Sequence, residues 1–233
     1  MKIQGAIFDM DGTLVDSLAF WDYFWRDMGE RYFDDADYRM DAVYFDTHVR
    51  TMIFSQAIAH IHAYLQIPCS AEEFDAFAAE YVERFYTTVA KPKAGARELL
   101  AALQKEGVGV CLASATDRRY LDIALKSCGL AEFFTSETVL SCSDIGVGKE
   151  RPDVFLAALR VMGTPLAETA VFEDSALALE TAKGAGFVTV GVYDPHQTAA
   201  ERLMAAADIY LGENSTLTDV LEQIQIFNAG DKL

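Results

Sequence analysis

Two aspartates, Asp9 and Asp11, follow a short apolar run over residues 2–8, and Gly12 and Thr13 come directly after them. A carboxylate at the end of a strand can attack phosphorus and become an aspartyl-phosphate. A second carboxylate can give a proton to the leaving alcohol and later take one from water. Gly12 would allow a turn tight enough for backbone N–H groups to approach a phosphate, and Thr13 adds a hydroxyl. The spacing predicts Asp9 as nucleophile and Asp11 as acid/base, although a turn with a helix cap would use the same residue types.

Groups that could bind a phosphate occur later in the chain. Ser114 follows the apolar run V-G-V-C-L-A, and its hydroxyl and the N–H of Ala115 could both donate to a phosphate oxygen. Lys149 lies in the loop V-G-K-E-R-P-D, where its ammonium could neutralise a phosphate and Asp9 together. Arg151 competes with Lys149 for this role. The simpler alternatives are a turn-forming serine and a solvated loop lysine.

Acidic residues follow more than one predicted strand, because Glu173 and Asp174 come directly after the apolar run 170–172. Carboxylates gathered in one cleft repel each other, and a hard divalent cation with oxygen ligands removes that conflict. We therefore expect Mg²⁺, held by the side chains of Asp9 and Asp174 and by the backbone carbonyl of Asp11. Glu173 would lie beside the metal or bind it through water. Glu173 and Asp174 could also serve as a helix N-cap, where negative charge is favourable.

Short apolar runs alternate with helical patterns after residue 91, for example a helix over 96–105 and strands over 108–113 and 188–192. This alternation predicts an α/β fold with a parallel sheet flanked by helices. Ligands of such sheets bind at the carboxyl ends of the strands, where the polar residues above are expected to meet. Residues 18–88 instead show aromatic and charged residues at helical spacing, which predicts an inserted all-helical unit covering that edge. The tail, 217–227, is expected to be a surface helix.

The overall composition restricts the function. The net charge of −17 argues against nucleic acid, whose phosphates require basic residues, and against anionic membranes. The four cysteines show no zinc-ligand spacing and are expected to be buried thiols in a reducing compartment. Neither a signal peptide nor a membrane-spanning run is expected. We expect a cytoplasmic protein, a monomer or weak dimer, that binds a small phosphorylated metabolite.

Four separated segments then identify a resemblance: F-D-M-D-G-T, L-A-S-A-T, G-K-E-R-P-D and F-E-D-S. They resemble, in order, the four motifs of the haloacid dehalogenase-like hydrolase superfamily, in its β-phosphoglucomutase and phosphoglycolate phosphatase branch. The resemblance implies a Rossmann-like core of residues 1–15 and 91–233 with a helical cap of residues 16–90. It also implies the roles given above, with Asp9 as nucleophile, Asp11 as acid/base, and Ser114 and Lys149 as phosphate ligands. The metal ligands that it implies are Asp9, Asp11 and Asp174.

Departures from the family pattern narrow the range of activities that the resemblance implies. Ser17 matches a residue that precedes a cap histidine in the mutases, but the histidine position holds Trp21. Hydrolysis is therefore favoured over a sugar-phosphate mutase. Asp11 argues against dehalogenases, which lack the second acid. The third motif reads K-E-R-P instead of K-P-x-P, and Ala178 stands at a usual glycine. A phosphate-sensing module without turnover is the remaining alternative, but it would need neither Asp11 nor a large insertion.

The substrate beyond its phosphate is expected to contact the cap. Arg50 is the favoured contact because its forked donors suit an anionic or hydroxylated group, although a solvated helix face is the alternative. Trp21 is a second candidate. Helix packing would equally explain the aromatic residues of the full candidate set, which is Trp21, Phe24, Trp25, Tyr44, Phe45, His48 and Arg50.

Overall fold

The computed structural model describes residues 2–50, 52–197 and 199–226 of the 233-residue chain. Its centre is a sheet of six strands. The strands in these residues are, in chain order, β1 (Lys2–Ile3), β2 (Gly5–Phe8), β3 (Val15–Asp16), β4 (Lys91–Pro92), β5 (Gly109–Ser114), β6 (Val139–Ser141), β7 (Thr169–Glu173), β8 (Val188–Val192), β9 (Ile209–Leu211) and β10 (Gln225–Ile226).

The six-stranded sheet has the order β6-β5-β2-β7-β8-β9, and its neighbouring strands are parallel. The central strands β2 and β7 consist entirely of buried residues, as expected where helices cover both faces of a parallel sheet. In the register of the sheet, Phe8 lies between Leu112 and Phe172. The residues that follow these three positions therefore emerge side by side at one edge.

Helices cover both faces of the sheet, which confirms the predicted α/β class. Phe8 and Leu112 point to a core shared with the helix residue Leu99, whereas Ile7 packs on the opposite face with Phe155. No helix within the described ranges is long and apolar enough to cross a membrane. The helices are α1 (Phe20–Phe33), α2 (Ala42–His48), α3 (Phe54–Leu65), α4 (Ala71–Thr88), α5 (Ala96–Lys105), α6 (Arg118–Ser127), α7 (Cys142–Ile145), α8 (Asp153–Met162), α9 (Ala176–Ala185) and α10 (Ala200–Ala206).

Helices α1 to α4 form a helical insertion between β3 and β4, which pair antiparallel and bring its two ends together. Helix α4 begins after a capping box at Ser70, whose hydroxyl accepts from the N–H of Glu73 while the Glu73 carboxylate accepts from the N–H of Ser70. The predicted all-helical insertion is confirmed. Its boundaries at residues 16 and 90, and its status as a separate domain, stay predictions.

The prediction for the tail is wrong over the residues that can be compared. Leu217–Glu222 is a 3₁₀ helix, and Leu217 and Val220 are buried against the core that α5 shares. Strand β10 then pairs in parallel with β1. The apolar spacing of the tail suits a docked turn and a short strand better than an amphipathic surface helix. Phe227, the end of the predicted helix, lies outside the described residues.

Candidate active site

The carboxyl ends of β2 and β7 bring three buried carboxylates together. Each of Asp9, Glu173 and Asp174 offers an oxygen, and these oxygens lie within 4.8 Å of one another. All three residues are at most 6% exposed. Lys149, on the loop between α7 and α8, is equally buried and contacts the carboxylates of Asp9 and Glu173 with its ammonium. The structure thus joins four of the residues that the sequence predicts for the site.

The charges of this cluster do not balance, since three carboxylates face one ammonium. Burial, and after it the charge of Asp9, raise the pKa of Asp174 to about 7. Burial likewise raises the pKa of Glu173 to about 8, although Lys149 opposes the shift. Burial would lower the pKa of Lys149, but the charges of Asp9 and Glu173 hold it above its usual value. The cluster therefore favours an additional positive charge.

A hard divalent cation fits this donor set. Its ligands would all be oxygens, which suits Mg²⁺ or Ca²⁺ better than the softer transition metals. Because Glu173 already accepts from Lys149 and from the N–H of Ser175 at 3.1 Å, Asp9 and Asp174 are the side chains better placed to bind a cation directly. The buried cluster could therefore hold a metal ion in the predicted manner.

Asp11 is held apart from these charges by three hydroxyl groups. Ser17 Oγ and Tyr86 Oη donate to its Oδ1 at 2.6 and 2.7 Å, and Thr116 Oγ1 donates to its Oδ2 at 2.8 Å. Asp9 is paired with an ammonium, whereas the donors to Asp11 among the described residues are neutral hydroxyls. Sequence reasoning assigned no role to Tyr86 or Thr116. A tyrosine in an amphipathic helix gives no local signal that its hydroxyl meets a residue 75 positions away.

Gly12 and Thr13 form contacts within the protein, and their predicted contacts with phosphate stay a prediction. The N–H of Gly12 donates to the carbonyl of Val15 at 2.8 Å, and the N–H of Thr13 donates to that of Met10 at 3.3 Å. Both amides therefore serve the turn itself. The Thr13 hydroxyl donates to Asp174 Oδ1 at 3.3 Å. Gly12 has a φ of +80° and lies so close to Asp174 that a Cβ would be 2.7 Å from that carboxyl.

Gly12→Ala is expected to destabilise the protein more than Gly146→Ala. Both glycines have left-handed backbone, with φ of +80° and +86°, so an alanine costs about 1–2 kcal/mol of strain at either site. Only at Gly12 does the added Cβ also clash with Asp174, whereas it meets nothing within 4 Å at Gly146. Urea unfolding of the two variants measures the difference. Equal losses of stability would show that the approach of Asp174 does not require glycine.

Ser114 lines a cavity of about 90 Å³ together with Asp9, Asp11 and Lys149. Its hydroxyl oxygen accepts from the N–H of Thr116 at 3.1 Å, which leaves its own proton available to a ligand. Ala115 also lines the cavity, but its carbonyl accepts from the N–H of Phe54 at the start of α3. The predicted phosphate-binding segment therefore lies at the site and also contacts the helical insertion.

The insertion forms the other wall of this cavity. Trp21, Arg50 and Phe54 are among its lining residues, so both favoured cap candidates lie at the site. One guanidinium nitrogen of Arg50 donates to the carbonyl of His196 at 3.3 Å, which links the insertion to the loop after β8. Trp21 packs its ring against that of Phe45, with centroids 4.8 Å apart.

The remaining cap candidates do not line the cavity. Phe24, Trp25 and Phe45 are buried in the core, as expected if these aromatic residues serve helix packing. Tyr44 and His48 stack on each other with ring centroids 4.5 Å apart, away from the cavity. The spacing that marks these residues as helical cannot distinguish the face that packs inward from the face that meets the substrate.

Arg151 and Lys149, the two candidates for the phosphate-binding cation, differ in burial. The side chain of Arg151 is 62% exposed and pairs with Asp153 at 3.0 Å. Lys149 is buried against Asp9 and Glu173. Arg151 as the phosphate-binding cation was therefore the wrong alternative, because its position two residues further on directs it to solvent.

The fold and the site define a class of protein. The family model described as haloacid dehalogenase-like hydrolase matches residues 3–186. The chain belongs to this family, which confirms the family predicted from the four motifs.

Named relatives differ in how much of their length they share with this chain. Protein SUPPRESSOR OF QUENCHING 1, chloroplastic, from Arabidopsis thaliana is 30% identical over 202 residues, which are 82% of this chain but 18% of that protein. Phosphorylated carbohydrates phosphatase from Thermotoga maritima is 25% identical over 95% of this chain and 100% of its own length. The structure of β-phosphoglucomutase from Clostridium difficile aligns with a TM-score of 0.70 and 15% identity, over 95% of this chain and 96% of that one. At that identity the structural likeness shows the fold alone.

Proposed function

We propose that this chain is a magnesium-dependent phosphatase that hydrolyses a small phosphorylated metabolite through an aspartyl-phosphate on Asp9. One observation carries the proposal: two carboxylates two residues apart have opposite kinds of partner in one small cavity. Asp9 contacts the Lys149 ammonium, whereas the donors to Asp11 among the described residues are hydroxyls. A relative of full length bears the name Phosphorylated carbohydrates phosphatase, which supports a sugar phosphate or similar compound as the substrate.

The proposed reaction has two displacements at phosphorus. A carboxylate oxygen of Asp9 attacks, and the bond from phosphorus to the substrate oxygen breaks as Asp11 gives that oxygen a proton. Water then attacks the same phosphorus, Asp11 takes its proton, and the bond to Asp9 breaks to release phosphate. Lys149 and the Ser114 hydroxyl would offset the negative charge on the phosphoryl oxygens. Bound Mg²⁺, held by Asp9, Asp174 and the Asp11 carbonyl with Glu173 beside it, would supply further charge neutralisation.

The size of the cavity implies movement of the insertion. About 90 Å³ is far below the roughly 300–1,000 Å³ of typical sites for drug-sized ligands. The space suits a phosphoryl group but little of the molecule that carries it. We therefore propose that residues 16–90 act as a cap that opens to admit the substrate and closes over it. Trp21 and Arg50 would then contact the part of the substrate beyond the phosphate. A cytoplasmic location and a monomer or weak dimer stay predictions.

A panel of sugar phosphates and related metabolites tests the proposal. Phosphate release that depends on Mg²⁺ and disappears on chelation is the expected result. Isomerisation of β-glucose 1-phosphate, primed by a bisphosphate and without phosphate release, would instead identify a mutase. A phosphorylated Asp9 that persists for hours after treatment with a small phosphodonor would identify a sensing module. Either outcome would overturn the phosphatase proposal.

Magnesium is expected to raise the melting temperature more at pH 8 than at pH 6. The pKa of Asp174 is raised to about 7 in the folded protein, so folding disfavours its ionised form. The protonated carboxyl therefore stabilises the folded state at low pH, and this contribution is lost as pH rises through about 7. A bound cation offsets the cost of burying the ionised Asp174, and below about pH 7 it must compete with protons for this carboxylate. At about 100 times its Kd, the ion adds about 2.7 kcal/mol. Scanning calorimetry with and without Mg²⁺ measures the shift.

Asp174→Asn should lose most of this magnesium effect, whereas Asp153→Asn, at a half-buried aspartate that pairs with Arg151, should keep it. A shift of the same size at both pH values would contradict the assignment of Asp174 as a metal ligand.

A further inference from the structure

Tyr86 presents a polar group that the packing of its helix does not require. The residue is 5% exposed, in the last turns of α4, and its ring packs among buried hydrophobic side chains. Burying a hydroxyl is costly unless it forms a hydrogen bond, and a phenylalanine would fill the same space without that cost. The Tyr86 hydroxyl donates to Asp11 Oδ1 at 2.7 Å. The position therefore uses a tyrosine where apolar packing alone would accept a phenylalanine.

The donors around Asp11 come from both sides of the cavity. Thr116 follows β5 of the sheet, whereas Ser17 and Tyr86 lie near the two ends of the insertion, where it joins the sheet. Ser17 precedes α1 and Tyr86 is near the end of α4. The two donors to Oδ1 are thus the ones that would move with the insertion, while the donor to Oδ2 stays with the sheet.

The backbone of Tyr86 also contacts the sheet side in this arrangement, through a hydrogen bond that does not involve its hydroxyl. Ser127 Oγ, at the end of α6, donates to the Tyr86 carbonyl at 2.7 Å. A phenylalanine would keep this bond and the ring contacts. Loss of the hydroxyl would therefore remove one contact between α4 and Asp11 and leave the other contacts of Tyr86 available.

We propose that Tyr86 is a positioning residue, which orients Asp11 for proton transfer when the insertion is closed over the cavity. Without the Tyr86 hydroxyl, Oδ1 keeps one donor, Ser17, and the carboxylate can rotate away from the leaving oxygen. Closing of the insertion would thus complete the acid/base site as it excludes water. The inference rests on the proposed phosphatase function, whose substrate it does not specify.

The test compares Tyr86→Phe with Tyr81→Phe, a matched control on the same helix. Tyr81 is as buried as Tyr86, but its hydroxyl donates to Asp27 at 2.8 Å inside the insertion. Phenyl phosphate and p-nitrophenyl phosphate serve as probes of nearly equal shape. Phenolate is the poorer leaving group and needs the proton from Asp11, whereas p-nitrophenolate leaves with little help.

We expect Tyr86→Phe to lower kcat about tenfold for phenyl phosphate and less than about threefold for p-nitrophenyl phosphate, with KM nearly unchanged. Tyr81→Phe should leave both rates close to wild type. Equal slowing of the two substrates, or no slowing of either, would overturn the proposal, because a general loss of structure does not depend on the leaving group.

Hydrogen exchange gives a second readout that needs no turnover. Amides of residues 86–92 should exchange faster in Tyr86→Phe than in wild type, and should be unchanged in Tyr81→Phe. If the wild type hydrolyses neither these probes nor any member of the sugar-phosphate panel, the phosphatase function fails, and the exchange data still decide whether Tyr86 holds the closed arrangement. Unchanged exchange in Tyr86→Phe would overturn that role whatever the kinetics show.

Discussion

Asp9→Asn is expected to abolish phosphate release while leaving the fold intact. The amide cannot act as the nucleophile, so kcat should fall by about 10⁴-fold or more, the order seen when a hydrolase loses a residue that its covalent step requires. Stability should be unchanged or slightly higher, because burial raises the pKa of Asp9 and its ionised form is disfavoured in the folded state. Lys149 would keep Glu173 as its partner. Phosphate assays and thermal unfolding of the same preparation test both parts.

Asp9→Glu serves as the control that separates charge from position. It keeps the carboxylate and the cluster's total charge but displaces the reacting oxygen by one methylene, and it should also be inactive. If Asp9→Asn retained more than about a tenth of wild-type activity after careful removal of contaminating phosphatase, Asp9 would not be the nucleophile. Trapping labelled phosphate on the wild type, and not on Asp9→Asn, would locate the intermediate directly.

Lys149→Met is expected to have the largest effect on stability. The residue is 4% exposed, and its ammonium neutralises the carboxylates of Asp9 and Glu173. Removing one partner of a buried ion pair costs about 3–5 kcal/mol, since the remaining charges are left without compensation. Activity should also be lost, because the ammonium that would offset the charge of the phosphoryl group beside Asp9 is removed. Urea unfolding at constant pH measures the stability term.

The cost of Lys149→Met should depend on pH. With the cation gone, the pKa of Glu173, already raised to about 8 by burial, should rise further. A raised carboxyl pKa contributes stability that is present at low pH and lost as pH rises, so the variant should recover towards pH 5. Adding Glu173→Gln should restore part of the loss by removing one uncompensated charge.

Arg151→Met is the control for this pair of variants, because Arg151 is exposed on the same loop. Its loss should change stability by no more than about 1 kcal/mol. Similar losses for Lys149→Met and Arg151→Met would mean that Lys149 is not the buried cation of the site.

Most of the core fold could be predicted from local patterns. The helix predicted over 96–105 is α5, and the strand predicted over 188–192 is β8. Apolar periodicity carries this information because each strand or helix of a parallel sheet must bury a fixed set of side chains. The tail was the exception, since its apolar residues dock as a 3₁₀ turn and the next strand pairs with β1 at the opposite end of the chain.

The four motifs were enough to predict the family and the charged residues Asp9, Lys149 and Asp174. The sheet edge could also be predicted, because strand ends in a parallel sheet must converge. Only the tertiary structure decided what surrounds Asp11. Its donors Tyr86 and Thr116 lie 75 and 105 residues away along the chain, on elements whose relative placement depends on packing. A hydroxyl within a helix carries no periodic signal for such a partner. The hydrogen bonds that make the surroundings of Asp11 differ from those of Asp9 therefore depend on how the insertion packs on the sheet rather than on any local motif.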